Sequence, residues 1–80
     1  MITAAQCRAA RALLKWKQED LASRSEVSVT TIRTFETEAT APHKSTLKAL
    51  TAALEDAGIE FLNEGEPAAT SGGQGVRLRD

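Results

Sequence analysis

Apolar residues recur three and four positions apart along the first part of the chain, which is the period of an amphipathic helix. The members of this predicted buried stripe are Cys7, Ala10, Leu13 and Leu14. Thr3 and Gln6 have the S/T-x-x-E/Q spacing of a capping box, in which each side chain satisfies a backbone N–H at a helix start. We therefore predict a first helix that begins at Thr3 and ends near Lys15.

Two shorter helical patterns follow, and they predict helices at 18–24 and 29–38. Ser28 is a favourable N-cap for the later helix, and Ile32 and Phe35 form its predicted buried side. The outward positions of that helix are Val29, Thr30, Arg33, Thr34 and Thr37. Threonine is a mediocre helix former, so we expect the threonines on this face to serve something other than helix stability.

A fourth helix is predicted from residue 43 or 44 to Ala57. Pro42 disfavours helical backbone at the residue before it, and Gly58 is typical of the position that follows a helix. The predicted inward residues of this helix are Leu47, Leu50 and Leu54.

Beyond Gly58 the apolar residues alternate with polar ones, which is the period of a strand. This alternation occurs at 59–62 and again at 76–79; the two segments can pair as a small antiparallel ribbon within the chain, and the alternative is that the tail is the homodimer contact. The predicted inward residues of the ribbon are Ile59, Phe61, Val76 and Leu78. The intervening segment, 63–75, is rich in Gly, Pro, Ala and Ser and is predicted to be a flexible loop.

These patterns predict an all-α domain over 1–58 and a C-terminal extension over 59–80. Eighty residues, of which 41% are hydrophobic and 26% charged, suit one small soluble domain. No apolar run approaches the roughly 18–20 residues that cross a bilayer, and 1–10 lacks the apolar stretch of a signal peptide. Since Cys7 and His43 are the only residues of their types, a disulfide framework, a zinc site and nucleophilic triads are all disfavoured. We expect a cytoplasmic module without metal or cofactor.

The net charge of −1 conceals an uneven distribution. Residues 1–48 have eight basic and five acidic side chains, whereas 49–80 have two basic and six acidic ones. The first part therefore carries +3 and the second −4, so the first part is the one suited to a polyanion.

The segment 18–37 has the spacing of a helix-turn-helix motif, in which two short helices cross at a tight turn. Ala22 stands at its fifth position, where a small residue lets the two backbones approach. The apolar residues at the fourth, tenth, fifteenth and eighteenth positions are Leu21, Val27, Ile32 and Phe35.

On these residues the chain resembles the lambda-repressor/Cro-like (XRE) family of helix-turn-helix regulators over about residues 3–57. The motif elements are Gln18-Glu19-Asp20-Leu21-Ala22, Val27-Ser28, Thr31-Ile32, Phe35-Glu36, Pro42, and the leucines at 47, 50 and 54. The resemblance implies a DNA-binding domain of four or five helices, with the helix at 29–38 as the recognition helix in the major groove. It also implies operator binding as a homodimer.

The resemblance implies three groups of functional residues. Candidates for contacts to base edges are Val29, Thr30, Arg33, Thr34 and Thr37. Candidates for contacts to the DNA backbone are Lys17, Gln18, Ser28, His43 and Lys44. Arg11 and Glu36 match a structural pair that orients the recognition helix. The competing interpretation for the first two groups is an ordinary solvated surface.

Two residues depart from the family's pattern. Glu26 stands in the turn where the family usually has glycine, so it must adopt a positive φ at a cost of about 1 kcal/mol or the turn must differ. Lys17 holds the N-cap of the second helix, where the family favours Ser or Thr, and loss of that cap costs roughly 1 kcal/mol.

The predicted function is sequence-specific binding of double-stranded DNA by a transcriptional regulator, as a dimeric repressor. The alternative is an antitoxin-like DNA-binding protein whose C-terminal segment, with strand 76–79, binds a partner protein. An enzyme is disfavoured because the sequence has no paired acid and base cluster, phosphate loop or set of residues at metal-ligand spacing.

Overall fold

The computed structural model describes residues 2–39, 41–62 and 75–79, and over these residues the chain forms four helices and a two-stranded sheet. The elements are α1 (Ala4–Leu14), α2 (Gln18–Ser25), α3 (Val29–Glu36), α4 (Lys44–Asp56), β1 (Ile59–Leu62) and β2 (Gly75–Leu78). The predicted all-α class with a C-terminal ribbon is confirmed. The longest of the described helices has 13 residues, and none is long and apolar enough to cross a membrane.

Side-chain caps fix where α1 and α3 begin, as the sequence predicts. Thr3 Oγ1 accepts a hydrogen bond from the Gln6 N–H at 3.1 Å, and Gln6 Oε1 accepts one from the Thr3 N–H at 2.9 Å. Ser28 Oγ likewise accepts from the Thr31 N–H at 3.1 Å. These bonds satisfy N–H groups that have no partner within the helix itself.

The third helix ends at Glu36, two residues earlier than predicted. Thr37 caps the helix, and Glu38 adopts the left-handed region at φ 62°. The Glu38 N–H donates to the Phe35 carbonyl at 2.9 Å, and the Ala39 N–H donates to the Thr34 carbonyl at 2.9 Å. The predicted end at residue 38 was wrong because Glu38 already has left-handed backbone dihedrals, which end the helical hydrogen-bond pattern.

The core lies where α2, α3, α4 and β1 meet. Its largest fully buried apolar side chains are Leu21, Ile32, Leu50, Leu54 and Ile59. Cys7 and Ala10 add the buried stripe of α1, whereas Leu13, predicted to lie on that stripe, is 43% exposed. The buried arc of α1 passes through Leu14 instead, which packs against the core, and Leu13 lies to the side of it.

The strands pair antiparallel, with Ile59 opposite Leu78 and Phe61 opposite Val76. All four side chains therefore share one face, as predicted, and Ile59, Phe61 and Val76 pack into or against the core. Leu78, at the end of the ribbon, is 46% exposed, so the prediction that it faces inward holds only in part.

The base of the ribbon is tied to α1 by the buried Gln6. Its Nε2 donates to the Leu62 carbonyl and to the Gly75 carbonyl, each at 3.1 Å. Gly75 is the first residue of β2, so its prediction as part of the loop was wrong, and residues 63–74 of that predicted loop lie outside the described ranges. The division of the chain at residue 58 stays a prediction.

Candidate nucleic-acid interface

A tight left-handed turn joins α2 to α3. Glu26 has φ 61°, so it adopts the positive value that its place in the motif predicts, and its N–H donates to the Ala22 carbonyl at 2.9 Å. Ser25 Oγ donates to the Leu21 carbonyl at 2.7 Å and accepts from the Val27 N–H at 3.2 Å. These bonds satisfy the backbone where α2 stops, so the chain turns sharply into α3.

The inner side of α3 is buried against the rest of the domain. Ile32, Phe35 and Glu36 are 0%, 8% and 2% exposed. Two of these side chains are apolar, but the third is a carboxylate, and a buried charge is costly unless it is paired and hydrogen-bonded. The environment of Glu36 therefore decides whether α3 is held firmly.

The Glu36 carboxylate receives a bidentate pair of hydrogen bonds from Arg11 of α1. Arg11 Nε lies 2.7 Å from Oε2, and Arg11 Nη2 lies 2.6 Å from Oε1. Two parallel bonds between ionised groups give the contact a fixed orientation as well as strength. Arg11 Nη1 donates to the Trp16 carbonyl at 3.1 Å, which further restrains the guanidinium.

Three further donors complete the surroundings of Glu36. Gln18 Nε2, at the start of α2, donates to Oε1 at 3.1 Å, and Cys7 Sγ donates to Oε2 at 3.2 Å. The Arg8 guanidinium donates to the backbone carbonyl of Glu36. The end of α3 is thereby bound to α1 and to the start of α2. No sequence pattern pointed to the contacts of Cys7, Arg8 and Gln18 with Glu36, because they depend on how the helices cross.

Burial raises the pKa of the Glu36 carboxyl, but the hydrogen bonds from Arg11, Gln18 and Cys7 outweigh it, so the pKa lies below its ordinary value. The hydrogen bond to Glu36 correspondingly raises the pKa of Arg11. Burial, and then the hydrogen bond to Glu36, raise the pKa of the Cys7 thiol. Arg11 and Glu36 are thus an ion pair at neutral pH, and Cys7 is a protonated donor.

The outer side of α3, together with its C-cap Thr37, carries the five predicted base-contacting residues. Thr30, Arg33 and Thr37 are exposed, whereas Val29 and Thr34 are half-buried. Within the described residues, no hydrogen bond or ion pair engages the Arg33 guanidinium. Arg33 and the exposed threonines, Thr30 and Thr37, therefore lie at the surface, and the opposite side of the same helix is buried against the domain.

The five predicted backbone-contacting residues lie at or beside the starts of α2, α3 and α4. Lys17 is the N-cap of α2, where its N–H donates to Asp20 Oδ2 at 2.8 Å and its side chain makes no cap bond, as its departure from the family pattern indicates. Gln18 follows it, half-buried through its contact with Glu36. Ser28, His43 and Lys44 are exposed, and Ser28 and His43 are the N-caps of α3 and α4. Free N–H groups at helix starts can donate to phosphate oxygens, which gives the predicted contacts to the DNA backbone a physical basis. These contacts remain a prediction.

Over residues 2–39, 41–62 and 75–79, no group of three or more His, Cys, Asp or Glu side chains is placed to hold a metal ion.

The sequence model of the family HTH_3, described as helix-turn-helix, matches residues 8–60, well over half of the chain. The match begins within α1 and contains the whole of α2, α3 and α4, with the turn between α2 and α3. A comparison with curated proteins gives no match. The crossed pair α2 and α3, the fixed inner side of α3 and the family match lead to one conclusion: the chain belongs to the HTH_3 family of XRE-type helix-turn-helix DNA-binding regulators.

Proposed function

We propose that this protein is a transcriptional repressor that binds a specific operator in double-stranded DNA as a homodimer, without catalysing a reaction. The observation that carries the proposal is the contrast between the two sides of α3. Glu36 is held by a bidentate bond to Arg11 on the inner side, whereas Arg33 stands exposed on the outer side. A rigid helix with an unengaged arginine is suited to the major groove.

In this proposal the outer residues of α3 contact base edges. Arg33 can donate two hydrogen bonds to O6 and N7 of one guanine, which discriminates against other bases by about 1–3 kcal/mol. Val29 and Thr30, in the first turn of α3, are suited to apolar contact with thymine methyl groups and, for Thr30, to a hydrogen bond. The cations at helix starts, Lys17 and Lys44, then contact phosphates on either side.

The short length of α3 supports action as two copies. Its eight residues extend about 12 Å, which corresponds to roughly three or four base pairs at 3.4 Å each. One copy therefore reads too few base pairs to specify an operator, whereas two copies on a palindrome read twice as many. In this proposal the bound dimer represses transcription by excluding other proteins from the promoter.

Selection of bound duplexes from a random pool, followed by footprinting, tests the proposal. We expect a palindrome whose half-sites lie one helical turn apart, about 34–36 Å. Affinity for it should fall steeply with salt, because each phosphate contact releases counterions. Lys44→Ala should weaken binding and reduce its dependence on salt, because it removes one phosphate contact. Arg79→Ala is the charge-matched control: it removes an exposed cation and its hydrogen bond to the Glu55 carbonyl, and it should leave both unchanged. Equal affinity for all duplexes, or no dependence on salt, would contradict the proposal.

The exposed Leu78 favours a second candidate function, in which the C-terminal ribbon binds a partner protein as in an antitoxin. A 46% exposed leucine at the end of β2 is an apolar contact available to another chain, and a strand edge can accept an added strand. The ribbon can bind a partner protein, or it can form the contact between the two copies of the homodimer. Deletion of residues 74–80, followed by measurement of the mass of the protein in solution, separates these two possibilities. Loss of a co-purifying partner supports the second candidate, and a change from dimer to monomer supports the ribbon as the homodimer contact.

A further inference from the structure

Thr34 of α3 and Thr37, the residue that caps its C-terminal end, both use their hydroxyl hydrogens in bonds to backbone carbonyls of the helix. Thr34 Oγ1 donates to the Thr31 carbonyl at 3.1 Å. Thr37 Oγ1 lies 3.0 Å from the Arg33 carbonyl and 3.2 Å from the Thr34 carbonyl, and it donates to this pair. A hydroxyl has a single hydrogen. Neither side chain therefore has a donor left for a base edge, and each retains its methyl group and oxygen lone pairs.

The same hydrogen bonds fix where the methyl groups lie. Threonine has few χ1 rotamers in a helix, and a bond from Oγ1 to a carbonyl one turn earlier selects one of them. The methyl group then occupies a different staggered position from the oxygen, away from that carbonyl. Thr37 is exposed and Thr34 is half-buried, so both have side-chain surface open to a ligand, and these bonds set the positions of their methyl groups there.

Arg33 stands beside both threonines. At about 3.6 residues per turn, the directions of positions 33, 34 and 37 span about 100°, so the three side chains lie on one side of the helix and its C-cap. The Arg33 guanidinium, with no hydrogen bond to the described residues, supplies five N–H donors beside Thr34 and Thr37, whose hydroxyls have no hydrogen left to donate. Donors and methyl groups are therefore separated on this surface.

Thymine is the base whose major-groove edge carries a methyl group, and guanine is the one that offers two adjacent acceptors. We propose that Thr34 and Thr37 recognise thymines by contact between methyl groups, next to a guanine that is bound by Arg33. This inference rests on the proposed function and names what the second half of α3 reads: a guanine among thymines. The hydroxyl oxygens contribute nothing to the choice of base.

The experiment uses the tightest duplex selected from a random pool, and copies of it in which each thymidine in turn is replaced by deoxyuridine. Deoxyuridine keeps the base pair and removes only the methyl group. We expect two or more positions per half-site at which the replacement weakens binding about fourfold, the effect of losing one buried methyl contact. The positions should adjoin the guanine whose replacement costs the most affinity.

Paired substitutions assign the contacts to the threonines. Thr37→Val keeps the methyl group and removes the hydroxyl, whereas Thr37→Ser keeps the hydroxyl and its bond to the helix but removes the methyl. The affinity of the valine variant for the selected duplex should lie within about twofold of wild type. The serine variant should bind about fourfold more weakly, and it should no longer distinguish thymidine from deoxyuridine. Thr34 receives the same pair. The control for effects on helix stability is the same pair of substitutions at Thr51 of α4. The Thr51 Oγ1 likewise donates to a helix carbonyl, that of Leu47, at 2.7 Å.

Two results would overturn the inference while leaving the proposed function intact. One is a preferred duplex whose affinity is unchanged by deoxyuridine at every position. The other is the reverse ranking, in which serine binds like wild type and valine does not, since this would show that the hydroxyl oxygen accepts a hydrogen bond from adenine or cytosine. A pool that yields no preferred duplex overturns the proposed function and this inference together.

Discussion

Arg11 of α1 and Glu36, the last residue of α3, form a bidentate ion pair in which the carboxylate is 2% exposed and the guanidinium 18% exposed. The pair joins two helices that are distant in sequence, and Gln18 adds the start of α2 to the same carboxylate. The outer side of α3 is therefore oriented by a contact on its inner side. The contact between these two residues is the physical basis of the account of DNA binding.

Replacement of Glu36 by glutamine should destabilise the protein by about 2–4 kcal/mol. Removal of one partner of a buried ion pair typically costs about 3–5 kcal/mol, and the partial exposure of Arg11 lowers the expected value. Urea unfolding followed by Trp16 fluorescence measures the change. Glu38→Gln is the matched control, because Glu38 is exposed and lies two residues away. Equal free energies of unfolding for the two variants would contradict the structural role of Glu36.

Acid should weaken the wild-type protein more than the Glu36→Gln variant. The pKa of Glu36 lies below its ordinary value in the folded protein, so its contribution to stability is complete above the unfolded pKa of about 4.3. The contribution is lost as the pH falls through the folded pKa. Urea unfolding at pH 7 and near pH 3 should therefore show the difference between wild type and variant shrinking in acid. A difference that stays constant would mean that the carboxylate is not preferentially ionised in the folded state.

Local chemistry explains what the sequence could predict of the fold. Capping at Thr3 and Ser28, the stop at Gly58, with φ 105°, and the alternation at β1 are properties of neighbouring residues. The errors arose where the outcome depends on distant packing. Leu13 lies to the side of the buried arc of α1 although its spacing fits the stripe.

As with the fold, only part of the candidate site was predictable from the sequence. A resemblance suggested Arg11 and Glu36, and the structure shows them in contact. The donors Cys7 and Gln18 were recognisable only from the folded chain, because a hydrogen bond between residues 29 or 18 positions apart leaves no periodic signal.

Replacement of Glu26 by glycine should stabilise the protein by about 1 kcal/mol. A left-handed φ costs a residue with a side chain about 1–2 kcal/mol, and glycine avoids this cost but gains entropy in the unfolded chain. Ser23→Gly, at an exposed position inside α2, is the control and should destabilise by about 0.5 kcal/mol. Thermal unfolding of both variants measures the two changes, and a loss of stability in Glu26→Gly would show that the turn does not strain this residue.

Lys17→Ser should change stability and DNA affinity in opposite directions. Serine can accept a hydrogen bond from an N–H in the first turn of α2, which lysine cannot, and a favourable N-cap adds about 1 kcal/mol. Loss of one phosphate contact should lower affinity and reduce the slope of log K against log salt by about 0.9. Unfolding and salt titrations check the two expectations separately. If the slope is unchanged, Lys17 does not contact the DNA backbone.

The most direct test of the account is a base-pair substitution scan of the selected duplex with wild-type protein and with Arg33→Ala. Wild type should lose affinity by about 1–3 kcal/mol when the contacted guanine is replaced, and Arg33→Ala should bind the original and replaced duplexes equally at that position while keeping its preferences elsewhere. If Arg33→Ala retains the full wild-type discrimination at every position, Arg33 reads no base of the operator, and the account is contradicted.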